Sequence, residues 1–346
     1  MKAVGYHKSS SVGDAGALVD VEIPKPNATG RDVLVLVEAI SVNPIDTKIR
    51  RTVSSDNKDH KILGWDAAGI VESTGENVTS FKPGDKVWYA GAINRTGANA
   101  EYHLVDERIV AKMPESLSFV EAAALPLTSI TAWELLFDRL NLSAESTGEL
   151  LIIGAAGGVG SIMIQLAKKL TQLTVIATAS RPETKEWVTS LGADHVIDHS
   201  KPLSEELSRI GVAQVKYIAS LTNTSNHLTE IIEVIAPQGR LGVIDDLEVF
   251  DIMPFKRKSV SVCWELMFTR SLFETDDMAE QHTLLSNVAT MVDAGDIQST
   301  VVNEWGVINA DNLIKAHTLL ESGKSRGKIV LSKWCPRDDS NVRPAP

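Results

Sequence analysis

Leu150-Leu151-Ile152-Ile153-Gly154-Ala155-Ala156-Gly157-Gly158-Val159-Gly160-Ser161 is the stretch whose reading decides the fold. The four leading apolar residues predict a buried strand and the glycines a tight turn. From Ser161 to Leu170 the apolar residues recur at helical spacing. A strand that feeds a glycine turn into a helix N-terminus suits a dinucleotide pyrophosphate. Backbone N–H groups approach the phosphates without Cβ clashes, and the helix dipole favours their charge. The spacing is G-x-x-G-x-x-G with one additional glycine at 158. Gly154, Ala156, Gly157, Gly158, Val159 and Gly160 are therefore the candidate residues for that cofactor.

The second strand of the unit is expected at 174–179, a β-branched run that stops before Ser180-Arg181-Pro182. Sites that take NAD carry an Asp or Glu near this point to accept from the ribose 2′-OH. Here Ser180 and Arg181 stand instead, with Lys185 one helical turn further on. A hydroxyl, a guanidinium and an ammonium suit a 2′-phosphate, which a carboxylate would repel. The expected cofactor is NADP(H). The bland reading of Arg181 and Lys185 is that they are solvated charges at a helix start.

Composition bounds the rest. A chain of 346 residues, 43% apolar and 23% charged, reads as an ordinary globular protein with room for two domains. A formal net charge of −11 argues against nucleic acid as the main partner, since phosphate neutralisation needs clustered cations. No apolar run near ~18 residues predicts a transmembrane helix, and the start at Met1-Lys2-Ala3-Val4 predicts no signal peptide. The two cysteines, Cys263 and Cys335, give no disulfide framework and fit a reducing cytoplasm.

The organisation is split. Residues 1–122 read as short strands between turns, for example 33–40, 69–73 and 85–89, with Lys82-Pro83-Gly84-Asp85 as punctuation. Residues 123–265 alternate helix and strand, with strands expected at 150–153, 174–178, 215–219, 240–245 and 259–264, the pattern of a doubly wound parallel sheet. Residues 266–332 carry helical stretches at 278–294 and 310–322 and a final strand at 327–331 that returns to the first domain. The polar, proline-bearing tail from 333 to 346 reads as disordered.

In order along the chain stand Val42-Asn43-Pro44-Ile45-Asp46-Thr47-Lys48, Gly64-Trp65-Asp66-Ala67-Ala68-Gly69-Ile70-Val71 and Ala122-Ala123-Ala124-Leu125-Pro126-Leu127-Thr128. They are followed by the turn at 155–160, Leu191-Gly192-Ala193-Asp194-His195-Val196-Ile197-Asp198 and Gly327-Lys328-Ile329-Val330-Leu331. Together these resemble the medium-chain dehydrogenase/reductase superfamily, in its quinone oxidoreductase and zinc-type alcohol dehydrogenase-like branch. The resemblance implies an α/β fold in which a Rossmann doubly wound parallel sheet accompanies a β-rich GroES-like domain. It also implies homodimers formed at sheet edges, for which 258–264 is the candidate strand.

Zinc-dependent members hold a catalytic metal through a Cys and a His. The resemblance places those ligands at Asn43 and Trp65, neither of which is a zinc ligand of that kind. Residues 84–113 contain no cysteine for a structural zinc lobe. His103 with carboxylates is the remaining donor set, and no metal is expected. Reduction of a quinone or an enone needs less help than alcohol oxidation, because the acceptor is already electrophilic and has only to be oriented against the nicotinamide.

The resemblance thus implies a zinc-independent NADPH-dependent oxidoreductase acting on a small carbonyl or quinone. Asn43 and Thr131 would face the cleft and Lys48 would stand where some relatives carry Tyr. Thr128, His199 and Lys328 would lie on the cofactor side. Each has a plainer alternative: Asn43 as a turn residue, the two threonines as helix caps, His199 and Lys328 as surface groups. Two other functions stay open at this point. One is a zinc-type alcohol or aldehyde dehydrogenase, and the other is an NADPH-binding sensor or RNA-contacting protein.

Overall fold

The computed structural model describes residues 1–55 and 59–334, so most of the expected tail lies outside the described residues. The chain opens with strands β1 (Lys2–Tyr6), β2 (Val19–Glu22) and the long β3 (Asp32–Val42), followed by helix α1 (Pro44–Thr52). Then come β4 (Lys61–Ile62), β5 (Asp66–Thr74), β6 (Lys86–Ala90), β7 (Tyr102–Asp106) and β8 (Val110–Lys112). Helices α2 (Phe119–Ala123) and α3 (Pro126–Trp133) lead into the alternating part: β9 (Thr147–Ile153), α4 (Gly158–Leu170), β10 (Gln172–Thr178), α5 (Pro182–Ser190), β11 (His195–Ile197) and α6 (Leu203–Arg209). It continues with β12 (Val215–Ser220), α7 (Thr224–Val234), β13 (Ile235–Val243) and β14 (Ser261–Trp264). Last are α8 (Thr269–Phe273), α9 (Glu280–Asp293), β15 (Val301–Glu304), α10 (Ala310–Glu321) and β16 (Lys328–Ser332).

Strands β9 to β14 form one parallel sheet in the order β11-β10-β9-β12-β13-β14. The last four residues of β9 are fully buried, as a central strand covered by helices on both faces requires. The order reverses between β9 and β12, so the crevice beyond their carboxyl ends is where such sheets take ligands. The expected strand at 240–245 begins earlier. Ile235 already pairs with Val215, and a register shift between Val215 and Tyr217 accommodates Pro237, which has no N–H to donate.

The other large sheet is built on β3, which pairs with β5, β7 and β16. Strand β16 lies antiparallel to the end of β3, with Ile329 opposite Val42, and brings the far end of the sequence next to Asn43. The first two residues of the expected tail are tied down: Lys333 donates its backbone N–H to the Glu38 carbonyl at 2.9 Å, and Trp334 bridges to Ile308. The helical run from Phe119 to Arg139 also departs from expectation. Its 21 residues are long and apolar enough to cross a membrane by length and composition, but 78% of the most apolar window is buried inside the protein. It is a core helix joining the two sheets.

Helix α1 starts at the site and is anchored by Arg50. This fully buried side chain donates to His317 Nδ1 at 3.1 Å and the Ser10 carbonyl at 2.8 Å, and it pairs with Glu321. Burial pushes the His317 imidazole down to about 3, so it stays neutral and accepts. Arg50→Ala is expected to cost about 3 kcal/mol by stranding these partners, read as a lowered urea midpoint with unchanged slope. A loss below about 0.5 kcal/mol would show that the anchor is dispensable.

Candidate functional site

Strand β9 ends at Ile153, and Gly154 turns the chain with φ +83°. A side chain at Gly154 would be strained and would meet Thr222 Cγ2 at 2.8 Å. The turn closes with Gly157 N–H donating to the Gly154 carbonyl at 3.1 Å, and α4 begins at Gly158 with Gly157 as its N-cap. A Cβ on Gly160 would lie 2.4 Å from the Ala155 carbonyl oxygen, so only glycine lets the helix seat on its own turn. The first N–H groups of α4, those of Gly158, Val159 and Gly160, have no partner within the helix and point its positive end at the crevice. This geometry fits a dinucleotide pyrophosphate.

The neighbouring corner holds the residues expected to read the ribose. Ser180 follows β10, and Arg181 is the N-cap of α5. Arg181 donates through Nη2 to the Lys324 carbonyl at 3.1 Å and pairs with Glu183 at 3.3 Å. Lys185 Nζ stands 3.5 Å from Asp198. Both cations keep substantial exposure, 39% and 44% of their side chains, so their present pairs leave them open to a further anion. Arg326 lies over the Trp187 ring and donates to the Glu183 carbonyl at the same helix start.

Across the crevice, Gly327 N–H donates to the Ala156 carbonyl at 2.9 Å and Gly327 bridges to Gly157. The entry to β16 is thereby docked on the glycine turn, and the stem of Lys328 runs across the start of α4. A Cβ at Gly158 would meet Lys328 Cδ at 2.8 Å and Thr128 Cγ2 at 3.1 Å. The ammonium, 3% exposed, donates to Asn43 Oδ1 at 2.5 Å, Asp66 Oδ2 at 3.0 Å and the Val42 carbonyl at 3.3 Å. Three acceptors use all three ammonium protons. Lys328 therefore presents its stem to the glycine turn and commits its charge to the other half of the site.

Asn43 is equally committed. Its Nδ2 donates to Asp66 Oδ2 at 3.1 Å and the Ser41 carbonyl at 3.3 Å, and its backbone N–H donates to Asp46 Oδ2 at 2.7 Å. Asp66 Oδ1 accepts the Leu127 N–H at 3.2 Å, which ties the start of α3 to the same cluster. Two buried carboxylates thus meet at Asn43, and the ammonium bonds one of them, Asp66. Burial raises both: Asp46 is pushed up to about 7, its rise only partly offset by the Asn43 N–H and Lys328, while Asp66 is raised by burial against the pull of Lys328.

The remaining expected residues are close by or turned elsewhere. Thr131 and Thr128 are buried on α3 and donate to the Leu127 carbonyl at 2.8 Å and the Leu125 carbonyl at 3.1 Å. Lys48 pairs with Asp246 at 2.8 Å, linking α1 to the loop after β13. Trp65 is buried with its Nε1 unpartnered, its ring edge-on to Phe268 at 6.1 Å. The Phe268 segment is held by Arg270, which pairs with buried Glu134 at 2.7 Å. Asp66 and Phe268 escaped the reading of candidate residues. For Asp66 the one signal was a carboxylate directly before the apolar run 67–71; for Phe268 there was none.

The donor set does not fit a catalytic zinc. The two positions of interest carry an amide, already accepting from an ammonium, and an indole with no lone pair to give. A dication beside the Lys328 ammonium would be repelled. His103 is spent as well, with Nδ1 at 3.0 Å from Tyr89 Oη and Nε2 at 2.9 Å from the Thr96 carbonyl. Among the described residues no group of three or more His, Cys, Asp or Glu is placed to hold a metal ion.

Two family models match the chain: an alcohol dehydrogenase GroES-like domain over residues 29–115 and a zinc-binding dehydrogenase over 191–331. A zinc-type alcohol dehydrogenase-like protein of Staphylococcus aureus is 41% identical over 96% of this chain and all of its own length. A structure from Rhizobium etli CFN 42, provisionally assigned as a zinc-dependent alcohol dehydrogenase, is 55% identical with a TM-score of 0.94, over 97% of this chain and 99% of its own. Escherichia coli quinone oxidoreductase, solved with NADPH, is 25% identical with a TM-score of 0.82 over 96% of this chain and all of its own.

The buried carboxylates give a test of the cluster by pH. A folded-state value near 7 for Asp46, above its ordinary 3.8, means that the folded protein holds a proton the unfolded chain releases. Stability from this group is therefore full below pH 3.8 and is lost as pH rises towards 7. Asp46→Asn is expected to gain on the wild type across that window, by on the order of 4 kcal/mol at its upper end. A difference in unfolding free energy that does not vary with pH would contradict the assignment.

Proposed function

The chain belongs to the medium-chain dehydrogenase/reductase superfamily, in the branch of quinone oxidoreductases and zinc-type alcohol dehydrogenase-like proteins, and from that premise we propose that it is an NADPH-dependent, zinc-independent reductase of a quinone or an α,β-unsaturated carbonyl. The observation that carries this reading is the Lys328 ammonium bonded to Asn43 and Asp66 where a metal-dependent relative needs open ligands. Alcohol oxidation asks for a Lewis acid or a placed base at the hydroxyl. An electrophilic acceptor asks chiefly for orientation and modest hydrogen-bond donors.

In this reading the start of α4 holds the pyrophosphate through Gly158, Val159 and Gly160, and Ser180, Arg181 and Lys185 receive the 2′-phosphate. When bound, the reduced nicotinamide supplies the hydride. Asn43 holds the floor of the acceptor site and does not donate to substrate, since both its N–H groups are taken. Lys48 and the Thr131 hydroxyl are the donors we assign to the acceptor carbonyl, exchanging Asp246 and the Leu127 carbonyl for it. The product oxygen takes its proton from solvent. Trp65 and Phe268 give the site apolar bulk suited to a flat ring.

We assign residues 123–265 to the cofactor domain and residues 1–122 with 266–332 to the catalytic domain. We also assign the protein to the cytoplasm on its cysteine usage, and to a homodimer through β14. That edge strand carries a Trp264 that is 54% exposed, with the exposed Leu266 two residues further on.

Steady-state rates with NADPH and NADH against 1,4-benzoquinone, an enone, a simple ketone and a simple alcohol test the assignment. The expected pattern is NADPH preferred by at least about tenfold, quinone or enone reduced, and ketone and alcohol inert. Arg181→Ala should weaken NADPH about tenfold, the loss of one charge-assisted contact, and change NADH little. A tenfold preference for NADH, or turnover confined to alcohols, would overturn the proposal.

A further inference from the structure

The loop after β11 and the start of α7 lie together at the carboxyl edge of the parallel sheet, beside the corner that holds Arg181 and Lys185. They bring two histidines face to edge: the rings of His199 and His227 are 6.3 Å apart at 87°. Both Nδ1 atoms are buried and have no hydrogen-bond partner. A buried ring nitrogen without a partner is uncommon in a folded protein and asks for an explanation.

The charges around the pair are mostly spoken for. Asp198, on the same loop as His199, accepts from Ser200 N–H and Oγ at 3.0 and 2.7 Å and pairs with Lys185. Glu206 of α6 takes the Asp198 N–H and pairs with Arg209, and Glu230 of α7 accepts the Leu203 N–H. Arg181 and Lys185 face His199 from the α5 side. Burial, then His227, lower the proton affinity of His199; Asp198 works the other way, and Arg181 and Lys185 add to the lowering. Two histidines and two strong cations share this corner with two carboxylates, Glu183 and Asp198, that are already paired with Arg181 and Lys185.

We propose that His199 and His227 form a proton-coupled reader of the ribose 2′-phosphate, in which His199, positioned by His227, takes up a proton as the phosphate enters, so that preference for NADPH over NADH strengthens as pH falls. The inference rests on the NADPH reading above. A dianion among these groups reverses the balance that keeps His199 neutral, so binding and protonation favour each other. His227 acts as a positioning residue: its ring fixes the plane of His199 and keeps the free site from charging early. Loss of NADPH affinity with rising pH is then a property of the corner and not of the pyrophosphate turn, which both cofactors share.

Calorimetric titration of the intact protein at pH 7 with 2′,5′-ADP and with 5′-AMP, in two buffers of different ionisation enthalpy, reads the proton directly. The expected result is uptake approaching one proton for 2′,5′-ADP and none for 5′-AMP, with NADPH affinity falling up to about tenfold between pH 6.5 and 8.5 while NADH affinity stays flat. His199→Gln should remove the uptake, and His227→Gln should shift the pH profile without abolishing 2′,5′-ADP binding; circular dichroism checks that each variant is folded. Equal uptake for the two nucleotides, or tight 2′,5′-ADP binding with no uptake, overturns the reader and leaves the NADPH reading standing. Tighter 5′-AMP and NADH binding at every pH overturns the NADPH reading itself.

Discussion

The Lys328 ammonium, buried among Asn43, Asp66 and the Val42 carbonyl, is the contact on which the geometry of the site depends. A buried cation is costly unless its protons are all received and a counter-charge is at hand, and here both conditions are met. Its stem lies over Gly158, its neighbour Gly327 is bonded to Ala156, and Asp66 is bonded in turn to the start of α3. One side chain therefore fixes the distance between the glycine turn and the end of β3. A neutral residue at 328 would leave the buried Asp66 carboxylate without its counter-charge.

This network also explains why a chain whose relatives are named for zinc can be read as working without it. The family descriptions cover the overall architecture, whereas the donor set is a property of individual positions. The resemblance puts Asn43 and Trp65 at two of those positions, and in the structure an ammonium is bonded to Asn43 there. The ammonium is saturated with acceptors, so it organises the floor of the site without polarising a substrate oxygen. That is consistent with an acceptor that needs orientation more than activation.

Much of the fold was legible because its signals are local. The apolar run at 150–153, the glycine turn and the helix after it sit within twenty residues, and so do Ser180, Arg181 and Lys185. What escaped was non-local. Lys328 and Asp66 are 262 positions apart, so nothing in the neighbourhood of either tells that they pair. Asn43 was picked out as a candidate donor, yet its partners come from β5 and β16 and consume its amide. His227 carried no local sign of standing against His199, and the start of β13 was misplaced because Ile235 pairs with Val215 across a register break that Ala236 to Gly239 span. Lys333 and Trp334 looked like tail because their anchors, Glu38 and Ile308, belong to other parts of the chain.

The central claim is that the Lys328–Asn43–Asp66 cluster stands in the metal's place. It is tested most directly by measuring zinc per chain in the active protein by mass spectrometry, with turnover followed before and after exhaustive chelation. The account predicts far less than one zinc per chain and a quinone-reduction rate with NADPH that chelation leaves unchanged. One zinc per chain, lost together with activity and restored with it, would contradict the account.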